Sequence, residues 1–125
     1  AWARRMRERQ ERGLVSAAVE SRLAFFRIGP EVAFAGVPGE LFAETTLAIK
    51  GASPFAVTLV GGYTGGSLGY LPTAQALREG GYEASEAYKY YGHPAPFAPE
   101  TADELVARCG AALRRLERSA ATARR

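Results

Sequence analysis

The stretch VAFAGVPGELFAET, residues 32–45, joins an apolar run to a helix-like segment through a charged residue. Residues 32–37 are all apolar or glycine, which is typical of a strand buried in a sheet. A proline–glycine pair ends that strand, and the carboxylate of Glu40 follows directly. Residues 41–50 then have the composition of a short helix. This stretch therefore predicts a buried strand and a helix with a carboxylate at their junction.

Two further segments favour strands in the same sheet. Residues 55–60 form a second continuous apolar run, which leads into the glycine-rich loop GGYTGGSLGY, residues 61–70. Upstream, apolar and polar residues alternate along residues 15–25, and a period of two predicts a half-buried strand. A turn at Gly29 and Pro30 would make it a hairpin partner or neighbour of the first strand.

Helical patterns occur at both ends of the chain. Residues 2–13 have helix-forming composition. Near the C-terminus, apolar residues recur at helical spacing with arginines opposite them: Leu105, Cys109, Ala112, Leu113 and Leu116. Between the two ends, residues 73–78 predict a helical turn. Residues 82–99, rich in tyrosine and proline, predict an extended loop.

The fold class that follows is α/β, or α+β, with a mixed sheet and packed helices. The chain has 125 residues, 47% of them hydrophobic and 23% charged, as in one soluble globular domain. We expect a helix end in residues 1–13, strands and site loops in residues 14–99, and an amphipathic helix in residues 100–125. The chain begins with Ala1, inside a helix-like segment, so we expect a natural N-terminus upstream, and localisation stays open.

Charge is unevenly distributed along the chain. Residues 1–13 and 113–125 each hold five arginines, although the whole chain has a net charge of only +3. Such ends could bind nucleic acid, with a steep salt dependence. We interpret them instead as solvated helix faces and tails, because few aromatic residues are interleaved with them, and we expect no nucleic-acid partner. Abundant arginine and alanine with little lysine suggest a GC-rich bacterial source.

Single cysteine and histidine residues exclude several kinds of site within this chain. Cys109 alone cannot form an internal disulfide or a cysteine-based zinc cluster. His93 alone cannot form a histidine-pair metal site or a Ser-His-Asp triad. We expect Cys109 to be a buried hydrophobe and His93 to be a hydrogen-bonded loop residue. The glycine-rich loop matches neither of the usual nucleotide-binding patterns.

The residues alone leave the role of Glu40 open. A carboxylate there could interact with the first turn of the following helix or pair with an arginine. It could equally be a metal ligand or a catalytic acid. Tyr70 and Tyr82 would, by themselves, be interpreted as amphipathic aromatics at the edge of the core.

Several motifs together resemble a known family. In order they are VPGE, a helix ending in SPF, FAVTLVGGYTGGSLGYLPT, EGGYEAS and YYG. Their order and spacing, over about residues 26–118, resemble the C-terminal part of the catalytic domain of neutral ceramidases and their small bacterial relatives. The resemblance implies that the chain is an incomplete portion of a larger catalytic domain. It also implies a role in lipid metabolism, in the hydrolysis of the N-acyl amide of a ceramide-type sphingolipid.

The resemblance also implies a zinc site. The family binds zinc through two histidines from an earlier part of the domain, the glutamate of the PGE motif and a later tyrosine. The last two correspond to Glu40 and Tyr70. A second tyrosine, twelve residues beyond the ligand and followed by glutamate, lies near the scissile amide and corresponds to the catalytic and substrate-binding Tyr82. The histidines have no counterpart here, so zinc and activity are expected only with an upstream portion of the same protein or a partner chain.

One departure from the family and one alternative function remain. Relatives have an asparagine and an aromatic residue in the loop where this chain has Gly65, Gly66 and Ser67, which affects the expected hydrogen bonding around the metal. The alternative is a non-catalytic binding or interaction domain on the same scaffold. In that case the sheet would need a partner, or a second copy in a homo-oligomer, to complete it.

Overall fold

The computed structural model describes residues 1–122 as an α/β fold with a mixed sheet, which confirms the predicted class. The helices are α1 (Trp2–Glu11), α2 (Ala43–Gly51), α3 (Ala74–Glu79), α4 (Tyr82–Ser85) and α5 (Thr101–Thr122), with a 3-10 turn at Ala87–Lys89. The strands are β1 (Ala24–Ile28), β2 (Val32–Gly36), β3 (Glu40–Leu41), β4 (Val57–Gly61) and β5 (Tyr70–Leu71). None of the described helices has the length and apolar character that crossing a membrane requires.

The larger sheet has three strands in the order β1-β2-β4. Strands β1 and β2 form the predicted antiparallel hairpin, and Gly29 in the turn has a φ of +65°, which glycine adopts without strain. Strands β2 and β4 are parallel, and α2 forms the crossover between them. The sheet is therefore mixed, as the sequence predicted.

The hydrophobic core lies between one face of this sheet and helices α2 and α5. Its fully buried side chains include Ala33 and Ala35 from β2, Ile49 from α2, and Cys109 and Leu113 from α5. The predicted apolar stripe of α5 thus packs onto α2 and the sheet. The last part of the predicted helix, residues 123–125, lies outside the described residues.

The predicted strand over residues 15–25 is wrong for most of its length. The described strand begins only at Ala24, whose register partner is Gly36, the last residue of β2. The β1–β2 pairing ends at Gly36, although β2 keeps one further contact on its other side, where the Val37 N–H donates to the carbonyl oxygen of Gly61 in β4. Residues 15–23 therefore have no neighbouring strand, and they are irregular despite their alternating sequence pattern.

The predicted extended loop over residues 82–99 is wrong for its first half. Helix α4 and the 3-10 turn occupy residues 82–89, where Ala84 and Ala87 are buried. Gly80 and Gly81 precede this segment with φ values of +80° and +100°, which glycine adopts without strain. Residues 90–99 are irregular, as expected.

Candidate functional site

Glu40 and Tyr70, the two predicted metal ligands, are direct neighbours in the small parallel sheet. They are register partners in the β3–β5 pair, and Leu41 pairs with Leu71 in the same way. The Glu40 N–H donates to the carbonyl oxygen of Gly69 over 2.8 Å. Thirty residues apart in sequence, a carboxylate and a phenol are thus placed side by side.

Tight backbone contacts around Pro38 and Gly39 fix this arrangement. The Leu68 N–H donates to the Pro38 carbonyl oxygen over 2.7 Å. A Cβ atom added at Gly39 would lie 2.8 Å from a methyl carbon of Leu71 and 3.0 Å from the Gly69 carbonyl oxygen. No side chain fits there, so the glycine of the PGE motif is what lets β3 approach β5.

Glu40 does not lie in the first turn of helix α2, where a carboxylate would interact with the helix dipole. It lies in β3, whereas the acidic residue in the first turn of α2 is Glu44. Its carboxylate instead accepts a hydrogen bond from the hydroxyl of Tyr63, a residue of the glycine-rich loop. The helix-dipole explanation for Glu40 is therefore excluded. The carboxylate is instead held by the phenol hydroxyl of Tyr63.

Tyr63 holds an unusual backbone conformation at this contact. Its φ of +53° makes it the one non-glycine residue with positive φ among residues 1–122. Its N–H donates to the Gly39 carbonyl oxygen over 3.1 Å, and the next N–H, of Thr64, donates to Val37. Left-handed backbone costs a residue with a Cβ about 1–2 kcal/mol, and such strain concentrates at functional sites. Sequence reasoning missed this residue, and its one signal was a tyrosine enclosed by four glycines in GGYTGG.

Both phenols near Glu40 are held in their protonated form. Partial burial, followed by the negative charges of Glu40 and Glu83, raises the pKa of Tyr70. The hydrogen bond to Glu40 is the largest cause of a strong rise in the pKa of Tyr63. Only a neighbouring cation would reverse this preference and favour the phenolate of Tyr70.

Tyr82, the predicted catalytic residue, packs against Tyr70. The two rings meet edge to face with centroids 6.2 Å apart, and the Tyr90 ring lies 6.2 Å from Tyr82 on another side. Tyr82 begins α4 and remains 51% exposed. All three residues predicted from the resemblance, Glu40, Tyr70 and Tyr82, are therefore together, with an aromatic wall that solvent or a substrate can reach.

His93 and Cys109 behave as predicted. The His93 Nε2 is 2.8 Å from the Leu68 carbonyl oxygen, which can only accept, so that nitrogen carries the proton. Its ring also packs on Phe97. Cys109 is fully buried, and burial raises the pKa of its thiol to about 11.

The residues present fit half of a zinc site. A carboxylate and a phenol are hard oxygen ligands, and Glu40 and Tyr70 are register partners on neighbouring strands. Residues 1–122 contain no group of three or more histidine, cysteine, aspartate or glutamate side chains that could hold a metal ion. A catalytic zinc has at least three protein ligands and an open position. The Glu40–Tyr70 pair therefore requires ligands from elsewhere.

A largely apolar cavity of about 840 Å³ lies between residues 16–23, the loop at residues 93–98 and the start of α5, with Val37, Leu68 and Leu71 also lining it. Its size is that of a small-molecule pocket. Glu40, Tyr70 and Tyr82 do not line it, and the chemical groups of the predicted site are thus outside it.

Comparison of the chain with models of known protein families, with curated proteins and with solved structures found no match. The resemblance to ceramidases therefore stays a prediction, which rests on the motifs and on the geometry just described.

Proposed function

We propose that this chain forms part of the active site of a ceramidase-like, zinc-dependent amidohydrolase. Glu40 and Tyr70 would bind the metal, and Tyr82 would lie beside the substrate amide. The observation that carries the proposal is the register pairing of Glu40 with Tyr70. The pairing supports the proposal because two residues chosen from separate sequence motifs as ligands of one ion lie side by side.

Each residue has a distinct task in this proposal. When bound, zinc supplies Lewis acidity and lowers the pKa of a water molecule toward neutrality. The hydrogen bond from Tyr63 fixes one carboxylate oxygen of Glu40 and leaves the other oriented for the ion. The exposed hydroxyl of Tyr82 can donate to the oxyanion that develops on the amide carbonyl. The wall of Tyr82 and Tyr90 offers an apolar surface to an acyl amide.

The remaining ligands would be histidines on polypeptide that this sequence does not contain. Two oxygen ligands do not hold a catalytic zinc, so we expect the chain to be inactive without that polypeptide. A ceramide-type lipid is the substrate that the resemblance implies.

Zinc content of the protein isolated from its source tests this proposal. We expect about one zinc per protein, lost in Glu40→Gln and weakened in Tyr70→Phe by more than the roughly 10–100-fold that is typical of losing a group behind a ligand. Tyr82→Phe should keep the zinc and lower the rate of N-acyl amide hydrolysis by about 10²–10³-fold. Tyr90→Phe, at an exposed neighbouring tyrosine, is the matched control and should retain zinc. Zinc that persists in Glu40→Gln would refute the ligand assignment.

A non-catalytic interaction domain is the second candidate. It is favoured by large apolar side chains that are exposed on one face of the sheet, among them Phe26, Ile28 and Leu59. A metal-free protein of 13.4 kDa, alone or as a dimer, would support this candidate and exclude the hydrolase.

A further inference from the structure

The largely apolar cavity between residues 16–23, the loop at residues 93–98 and the start of α5 reaches the hydrophobic core. Its lining includes Val37, Leu71 and Leu105, which are buried and belong to the core cluster. The partly buried Leu23 and Phe97 also line it and pack against that cluster. A volume of about 840 Å³ with such a lining is typical of sites that bind small organic molecules.

One wall of the cavity is an irregular segment, residues 15–23, which we call the strap. Among the described residues, the hydrogen bonds of the strap are confined to the strap itself, between Ser16 and Ala18. Residues 15–22 are exposed, and a second cavity, of about 270 Å³, lies between the strap and α1. Segments with few hydrogen bonds and much exposed surface open at a low free-energy cost. The strap can therefore move without breaking regular structure.

The cavity is large because the side chains that line it from the strap and from the loop are mostly small. They are Ser16, Ala17, Ala18, Ser21, Ala95 and Ala98. Side chains of this size leave room in front of the core residues on the other side. An apolar molecule in that room would make dispersion contacts on both sides. It would also remove apolar surface from water, at about 25 cal/mol per Å².

The charge at the cavity is negative. In the described part of the chain, the acidic and basic side chains that line it are Glu100, Glu104 and Arg108. Glu104 and Arg108 pair with each other over 3.8 Å on α5, whereas Glu100 has no ion pair within residues 1–122. The start of α5 itself attracts anions, but Asp103 and Glu104 already supply negative charge in its first turn. The uncompensated charge is thus the Glu100 carboxylate.

We propose that this cavity binds a small organic amine with an apolar body, and that the strap moves to admit it. The body lies against the core side chains that line the cavity, and the protonated amino group lies beside the Glu100 carboxylate. A carboxylate ligand of the same shape would face Glu100 with like charge. Glu40, Tyr70 and Tyr82 do not line the cavity, so this inference goes beyond the proposed function and does not depend on it.

Titration calorimetry with matched probes tests the class of ligand. The probes 4-phenylbutylamine, 4-phenylbutanol and 4-phenylbutanoate share one apolar body and differ in charge at pH 7. With the full-length protein from its source, we expect the amine to bind about 3–10-fold more tightly than the carboxylate, because one exposed charge contributes modestly. The alcohol should lie between them. Glu100→Gln should remove most of this preference, whereas Glu44→Gln, at an exposed carboxylate on α2, should keep it.

Two further measurements test the place of binding and the role of the strap. Ala17→Trp puts a large ring at an exposed strap residue that lines the cavity, and it should abolish binding of the amine. Ala48→Trp, at an exposed alanine on α2, is the matched control and should bind as the wild type does. At ten times its Kd, the amine should slow trypsin cleavage after Arg22, in the strap, by about tenfold. Cleavage after Arg12, outside the strap, should change less.

Each contrary outcome overturns a stated part of this inference. Tighter binding of the carboxylate than of the amine, or no binding of any probe, would overturn the class of ligand. Binding of the amine that persists in Ala17→Trp would overturn the site, and unchanged cleavage after Arg22 would overturn the role of the strap. Glu100→Gln alters an exposed side chain, so the test of charge holds if Ala17→Trp fails to fold. Zinc enters none of these measurements, and the proposed hydrolase is tested separately.

Discussion

At the scale of single residues, the backbone conformation of Tyr63 lowers the stability of the glycine-rich loop at the site. Asparagine or glycine would adopt its φ of +53° more readily, yet the chain has a tyrosine whose hydroxyl reaches Glu40. The backbone N–H groups of Tyr63 and Thr64 hold this conformation against β2 and the PGE turn. A position that lowers stability while it orients a proposed ligand is typical of a functional site.

Two substitutions at Tyr63 separate the effect of its hydroxyl group from the effect of its strained backbone. Tyr63→Phe keeps the strained backbone and removes the hydroxyl, so we expect zinc affinity to fall by about 10–100-fold, with a change in unfolding free energy below about 1 kcal/mol. Tyr63→Asn also removes the hydroxyl but suits positive φ, and we expect about 0.5–1 kcal/mol of added stability. Urea unfolding and zinc content measure the two effects. A Tyr63→Phe protein that binds zinc like the wild type would contradict the role given to this hydroxyl.

At the scale of elements, periodicity predicted what local sequence determines. Strand β2, helix α2 and helix α5 appear where apolar runs or stripes predicted them. The predicted strand over residues 15–25 overlaps β1 only at Ala24 and Phe25, because the position of β1 depends on where β2 lies beside it, which its own alternating pattern does not encode. Helix α4 and the 3-10 turn after it were missed because one buried alanine in each, Ala84 and Ala87, rather than an apolar stripe, packs them onto the rest of the protein.

Two glycines in the loop before β5 give a matched test of how that element is held. Both Gly65 and Gly69 have positive φ, but only at Gly69 would a Cβ meet another residue, 2.5 Å from the ring of Tyr91. We expect Gly65→Ala to lower the unfolding free energy by about 1 kcal/mol through backbone strain alone. Gly69→Ala should cost about 1–3 kcal/mol more, since it also overpacks the ring.

Urea unfolding of both variants, each with and without Tyr91→Ala, checks this expectation. Removing the ring should bring the cost of Gly69→Ala close to that of Gly65→Ala. Equal costs in the presence of the ring would show that Tyr91 does not restrict β5.

At the scale of the whole molecule, the candidate site depended on information that no single segment carries. The residues alone left Glu40 open between structural and chemical roles, and only the family resemblance connected it with Tyr70. Their adjacency arises from parallel pairing across thirty residues, and hydrophobic periodicity does not predict such non-local pairing. The contact from Tyr63 depends in addition on a backbone conformation that tyrosine rarely adopts.

Because Cys109 is buried in the core, we expect the unfolding free energy of the protein to depend on pH in the alkaline range. This thiol is fully buried beside α2 and the sheet, and burial raises its pKa from 9.0 to about 11. Between these values the unfolded chain loses the proton while the folded chain keeps it, so the folded state binds more protons. The unfolding free energy should therefore fall as pH rises from 9 to 11, by roughly 2 kcal/mol.

Cys109→Ala isolates the contribution of this thiol from that of every other group. Its unfolding free energy, measured in urea at pH 8 to 11, should start lower by about 1 kcal/mol because the side chain is smaller. It should then fall less steeply than that of the wild type, so that the two curves converge as the pH rises. Parallel curves would mean that the thiol ionises as easily in the folded chain as in the unfolded one. That result would contradict a folded state in which the buried face of α5 keeps the Cys109 thiol out of contact with water.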